Sequence, residues 1–300
     1  MWFRSGLRAA KRIAAFLVEQ LWTVGFFLAA LIRPRKVRRW SSPGRATVLI
    51  VAPHPDDEAA GCAGTLLKHV ASGDEVILAI ATDGRQSKVN PEPHQVCRQR
   101  RSEAQHAARL LGIQRLEWIG LAEGEWRVPT LVEKLAGVIR SHSPTIIYAP
   151  SRIDFHPEHR QVAHALALSL AGTAAEAADA PRLRIYPIQV PLHYAIINLL
   201  ADVSTCHRQA DAVMDAYHSQ AGSLRRCNRL RRYSGKRFGI KGRAEVFWEV
   251  SARTYIALHG EPPERWPDAF RGLRDFPLTD PLANFRGFLE QRRLIAKAAR

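Results

Sequence analysis

Short apolar runs alternate with amphipathic stretches along most of the chain. Ala46–Ala52 (ATVLIVA), Glu75–Thr82 (EVILAIAT), Arg115–Gly120, Thr145–Ala149 (TIIYA) and Arg184–Val190 are β-branched and nearly continuous. That is the pattern of parallel strands covered on both faces. Helical spacing fills the intervals near 59–72, 98–111, 130–142 and 158–171. The alternation predicts an α/β fold: a three-layer, Rossmann-like, doubly wound and mostly parallel sheet, with strand order about 3-2-1-4-5. In such sheets ligands bind beyond the C-terminal ends of the strands, where the strand order reverses. Strands one and four adjoin there.

Before this core, twenty residues from Ile13 to Ile32 are apolar except for Glu19, Gln20 and Thr23. Twenty helical residues reach about 30 Å, the thickness of a bilayer core. Arg4, Arg8, Lys11 and Arg12 precede the run, and Arg33, Arg35, Lys36, Arg38 and Arg39 follow it. The heavier following block favours a main domain on the cytoplasmic side. We therefore expect residues 1–42 to be a membrane anchor or an interfacial helix, the mid-run Glu19 favouring the second form. Residues 43–260 form the main domain. Residues 261–300 form a proline-rich strap followed by an amphipathic helix.

Charge sharpens this division. The 300-residue chain carries a net +16, of which residues 1–45 and residues 223–243 each hold +9, leaving the rest at −2. A nucleic-acid-binding core would carry its own basic face, so no nucleic-acid partner is expected. The two basic segments instead suit anionic membrane lipid or a phosphate-bearing substrate. Cys62, Cys97, Cys206 and Cys227 are too dispersed for a zinc ribbon or a thioredoxin-like motif and read as reduced thiols.

The candidate chemistry lies in two clusters. Pro53-His54-Pro55-Asp56-Asp57-Glu58 follows the first strand, and Asp154-Phe155-His156-Pro157-Glu158-His159 follows the fourth. Each alone is ordinary, since acids open many helices and paired histidines occur by chance. Together, at the expected mouth, they offer imidazoles and a carboxylate suited to zinc, with another carboxylate free to take a proton. The other histidines, His69 among them, have no such spacing and read as surface or packing positions.

These two motifs resemble those of the PIG-L/LmbE-like family of zinc-dependent N-deacetylases. The similarity runs from about Val48 to about Phe247 and takes in Thr82-Asp83-Gly84, Arg100-x-x-Glu103, Tyr217-His218-Ser219-Gln220 and Ala244-Glu245-Val246-Phe247. The resemblance implies His54, Asp57 and His159 as ligands of Zn²⁺ or another divalent transition metal. It also implies Asp56 as the general base acting on a metal-activated water. His156 matches the group that stabilises the oxyanion or assists the leaving amine. Asp154 or Glu158 would orient a histidine; Glu158 stands where the family motif has aspartate. Arg100, by the same resemblance, binds substrate, though its place on a helix equally suits a surface or helix-packing arginine. Arg85, just beyond Asp83-Gly84, is placed to hold a phosphate near the mouth.

The resulting expectation is a membrane-associated, cytoplasm-facing hydrolase that removes an N-acetyl group from an amino sugar, lipid- or phosphate-linked. Two other functions fit the same residues: an amidase on another small N-acyl conjugate, and a catalytically silent membrane-associated binding protein. The sequence leaves the oligomeric state open.

Overall fold

The computed structural model describes residues 37–266 with short interruptions, residues 289–294, and isolated positions between 17 and 28. The core opens with β1 (Arg38–Arg39), β2 (Thr47–Ala52), α1 (Asp57–Ala71), β3 (Glu75–Thr82), α2 (Pro93–Leu111) and β4 (Arg115–Leu121). It continues through α3 (Val128–His142), β5 (Ile146–Ala149), α4 (Pro157–Thr173), β6 (Arg182–Ile185) and β7 (Leu199–Asp202). α5 (His207–Asp215), α6 (Cys227–Arg237), β8 (Ala244–Ser251) and α7 (Ala252–His259) close it.

All eight strands form one sheet in the order β1-β7-β8-β6-β5-β2-β3-β4. The run β6-β5-β2-β3-β4 is parallel and has the order expected for the first five predicted strands. Its central strand β2 is covered on both faces, with Val48 to Ala52 wholly buried, which is why that stretch is apolar without alternation. One apolar layer packs α3, α4 and α7 on one face, built around Leu135, Leu166 and Tyr255. The other packs α1, α2 and α5, built around Leu66, Ala107 and Val213. Gly61 and Gly64 let α1 approach closely: a Cβ on Gly61 would run into the Tyr186 ring, and one on Gly64 into Val203.

Two parts of the expected fold class need correction. First, the sheet is mixed. β8 lies antiparallel between β6 and β7, pairing Trp248 with Ile185 and Phe247 with Leu199. The last predicted strand also stops at Ile185 rather than at Val190. Second, the expected membrane-associated helix, and the membrane location drawn from it, is not supported: among the described residues no helix is long and apolar enough to cross a membrane. Most of the segment read as an anchor lies outside the described residues, as do residues 267–288 and 295–300 of the region read as a strap and terminal helix.

The basic run at 223–243 is partly internal. Arg231 is buried, with Nε 2.8 Å from Glu245 Oε1, and donates from Nη2 to the carbonyls of Ala59 and Ala60 at 2.8 and 3.1 Å. Glu245 also accepts from the backbone of Gly64 and Thr65. Arg243 pairs with Asp211 at 2.6 Å. Arg231 fastens α6 and β8 to α1, and Arg243 ties the approach to β8 to α5, so counting them as a surface patch overstates what faces outward.

Candidate metal centre

The turn from β2 into α1 carries the first cluster. Pro53 O accepts both the backbone N–H and the hydroxyl of Thr82, at 3.0 and 2.9 Å, fixing the turn to the end of β3. Asp57 Oδ2 accepts the His54 N–H at 2.8 Å. Asp56 has φ 133°, ψ −18°, a conformation that L side chains rarely adopt. Such backbone strain persists only where the surroundings hold it, and it concentrates at functional sites. The second cluster opens α4, beside the end of the neighbouring strand β5.

The two motifs meet. His54 Nδ1 lies 3.0 Å from His159 Nε2, and Asp57 Oδ2 lies 3.3 Å from the first and 3.4 Å from the second. Neighbouring donor atoms around a tetrahedral zinc, each about 2.0–2.2 Å from it, are spaced by about 3.4 Å. The opposite ring nitrogens are turned towards carboxylates. His54 Nε2 is 2.7 Å from Glu158 Oε2, and His159 Nδ1 is 3.1 Å from Asp154 Oδ2, the second off the line of a good hydrogen bond. A carboxylate on one nitrogen places the proton there and leaves the other nitrogen's lone pair for a metal. The donor set therefore fits a divalent cation. His54 is also grouped tightly with His156 and His159, and with Glu123 and Glu158, so the His/Glu cluster is capable of metal coordination.

Electrostatics agree with that fit. Burial works against a charged His54, but Asp57, Glu123 and Glu158 outweigh it and hold the imidazole well above its ordinary value. Burial likewise opposes charge on His159, which Asp57 and Asp154 pull upward. Despite its own burial, Asp57 is held far below the usual carboxylate range by His159 and His54. The pocket favours positive charge at its centre.

Around these groups the remaining residues take distinct places. Burial pushes Asp56 up to about 6, against the opposing pull of Arg100. Arg100 is buried with Nη2 3.4 Å from Asp56 Oδ1; its Nε and Nη1 have no hydrogen-bond partner among the described residues. The ring of His156 sits 4.8 Å from that of His54 and 4.7 Å from that of His159, and its Nδ1 is buried without a partner among the described residues. Burial, then the charges of His159 and His54, lower His156 to about 4. Glu158 reaches His54 despite its extra methylene, because the Gly124 N–H and Trp126 Nε1–H hold its other oxygen at 2.7 and 2.8 Å. Arg85 is not brought to the cluster's centre: it is paired with Asp83, from Nε at 2.8 Å and from Nη2 at 2.6 Å.

Glu123 lies outside every motif, and Glu58 and Glu103 stand in motifs that gave them no role. Glu123, after β4, lies 3.5 Å from His54 Nε2 and accepts the Gln86 N–H at 2.7 Å. Its position at the carboxyl end of a sheet strand was the available signal. Glu58, pushed by burial up to about 7, accepts the Tyr217 hydroxyl at 2.5 Å and the Asp56 N–H at 3.3 Å. Glu103 accepts from the backbone and the hydroxyl of Ser219 at 3.0 and 2.6 Å. The supporting motifs thus bind one another around the central turn.

Comparison with known proteins follows the same residues. The family model described as PIG-L: GlcNAc-PI de-N-acetylase matches residues 49–170. Diacetylchitobiose deacetylase of Thermococcus kodakarensis is 32% identical over 119 residues, which are 38% of this chain and 45% of that protein. The chain thus spans less than half the length of this curated relative. The fold is similar to that of N,N'-diacetylchitobiose deacetylase from Pyrococcus horikoshii, with TM-score 0.62 and 21% identity over 70% of this chain and 85% of that one. It is similar also to a conserved protein from Thermus thermophilus, with TM-score 0.57 and 31% identity over 67% of this chain and 93% of that one. With both signature motifs inside the matched segment and a relative spanned almost end to end, the chain belongs to the PIG-L/LmbE-like deacetylase family.

Proposed function

We propose that this protein is a metal-dependent hydrolase that removes the N-acetyl group from an amino sugar. The observation that carries the reading is the convergence of His54 Nδ1, His159 Nε2 and Asp57 Oδ2 to within 3.0–3.4 Å of one another, with Asp56 alongside. In this reading His54, Asp57 and His159 hold the metal. A zinc ion bound there supplies Lewis-acid polarisation of the amide carbonyl and a lowered pKa for water.

The chain's own residues do the rest. Asp56, at about 6, is ionised at neutral pH yet basic enough to take the proton of the attacking water. Its strained backbone fixes where that carboxylate points. His156, lowered to about 4 and therefore neutral, has a ring nitrogen without a partner among the described residues and serves as an N–H donor to the developing oxyanion. Arg100 brings unpaired N–H groups beside Asp56, suited to sugar hydroxyls. Glu158 and Asp154 hold the two imidazoles in the required tautomers. The amino-sugar substrate is supported by the activity named for the Thermococcus relative, diacetylchitobiose deacetylase.

The test measures acetate release from N,N'-diacetylchitobiose by the purified, zinc-loaded chain and by Asp56→Asn. Loss of a general base costs about 10²–10⁴ in rate, so the variant should fall by that much while keeping its zinc. Full activity in Asp56→Asn, or in chelated protein, overturns the mechanism. Hydrolysis only of N-acyl amines that are not sugars favours the amidase alternative.

A further inference from the structure

We infer that Glu290 is a positioning residue for this site: through Arg152 it clamps the loop that carries Asp154 and His156. The inference rests on the reading of the site given above. The loop joins β5 to α4, and its beginning is pinned where the Tyr255 hydroxyl donates to Pro150 O at 2.7 Å. Two residues on, Arg152 is 5% exposed, and its guanidinium lies 3.2 Å from Glu290 Oε1, donates to Leu258 O at 3.2 Å and rests 4.7 Å from the Trp266 ring centre. Asp154 follows two residues later, after the buried Ile153. Its Oδ1 accepts the His156 N–H at 2.9 Å and its Oδ2 faces His159 at 3.1 Å. A shift of Arg152 therefore reaches both histidines through one carboxylate.

Glu290 belongs to the helical residues 289–294, where it is 2% exposed and Gln291 wholly buried. Gln291 donates to Pro191 O at 2.9 Å and accepts the His193 N–H. Leu294 is seated in the apolar core. One turn of helix thus holds the chain beyond β5 and the chain beyond β6, both on the side of the sheet where the metal cluster lies. Buried ion pairs add little stability compared with apolar packing of the same shape, and the role assigned to this one is to fix where Arg152 sits. The match to the family spans residues 49–170, so Arg152 lies within it while Glu290 comes from outside.

The test uses the full zinc-loaded chain with N,N'-diacetylchitobiose as probe. Glu290→Gln should lower kcat about tenfold with KM within about twofold and zinc stoichiometry intact, and Glu290→Asp should recover part of the loss. In an Asp154→Ala background, Glu290→Gln should cost nothing further, since the clamp acts on both histidines through that carboxylate. Side-chain ¹⁵N NMR of the histidines provides a reading without turnover: His156 and His159 signals should move while His69 stays. Unchanged kcat, an equal loss in the Asp154→Ala background, or unmoved His156 and His159 resonances overturns the clamp. Should Glu290→Gln fail to fold, Arg152→Lys, which keeps the charge but not the fork, is held to the same outcomes. Absence of acetate release by the wild-type chain counts against the proposed activity, and the NMR comparison still decides the clamp.

Discussion

Helix α1 has a buried histidine–aspartate centre near each end, and the two behave oppositely. At its start, His54 and His159 face Asp57, Glu123, Glu158 and Asp154 and are drawn towards positive charge. Near its end, about 18 Å away along the axis at 1.5 Å per residue, His69 lies 2.6 Å from Asp74 and 2.9 Å from the Tyr148 hydroxyl. Arg184 donates to Tyr148 at 2.8 Å, and Ser42 donates to Asp74 at 2.6 Å. Trp40 covers the ring edge-on. Burial, with the nearby Arg184 charge, lowers His69 to about 4 although Asp74 opposes it, so it sits neutral in a closed network. What separates a site from a strut here is not residue type. It is surplus negative charge with unpartnered donors in one place and mutual satisfaction in the other.

Zinc should act at the first centre alone. At a thousandfold excess over Kd, binding stabilises the folded state by about 4 kcal/mol, which a chain of this size registers as a rise in Tm of roughly 10 °C. His159→Ala should abolish that rise. A His69 variant should keep it, and equal loss in both would erase the distinction between the centres.

Acid should break the second centre. His69 titrates near 4 when folded against an ordinary 6.5, so between those values the unfolded chain binds more protons. The stability that comes from its neutral, buried state is complete above 6.5 and is lost as pH falls towards 4. Its total is about 3 kcal/mol at 1.36 kcal/mol per pKa unit. Urea titrations of the wild-type chain and of His69→Asn across pH 4–7 should differ by this slope. Parallel pH dependences would remove it.

At fixed neutral pH, His69→Asn should cost about 1–3 kcal/mol by leaving buried partners of the ring unsatisfied. The kcat of the folded fraction should stay within about twofold, as read by denaturation and by acetate release. Smallest of all, Arg85→Ala removes a partly exposed pair with Asp83 and should change stability by about 0–1 kcal/mol. A large rise of KM in Arg85→Ala would instead restore the phosphate-binding role that its pairing argues against.

The parts of the molecule legible in the sequence share one physical property: their signal is local. β2 and β3 are apolar along their length because both faces are buried, so the run itself reports the strand. The central strand order and the meeting of His54, Asp57 and His159 follow from parallel crossovers that carry two motifs to one edge of the sheet. Other features left no local mark. Arg231 reads as one more charge in a basic run until Glu245 and two α1 carbonyls surround it. Glu123 reads as a loop acid until the end of β4 lies beside His54.

The sequence by itself therefore determined the layered α/β core and the two polar clusters at its strand ends, because periodicity and strand-end motifs are properties of neighbours along the chain. The tertiary structure alone decided that β8 inserts antiparallel between β6 and β7, that Glu158 lies against His54 and Asp154 against His159, and that Glu290 reaches Arg152. Strand direction and long-range ion pairing depend on where distant segments come to rest, and no stretch of chain encodes that alone.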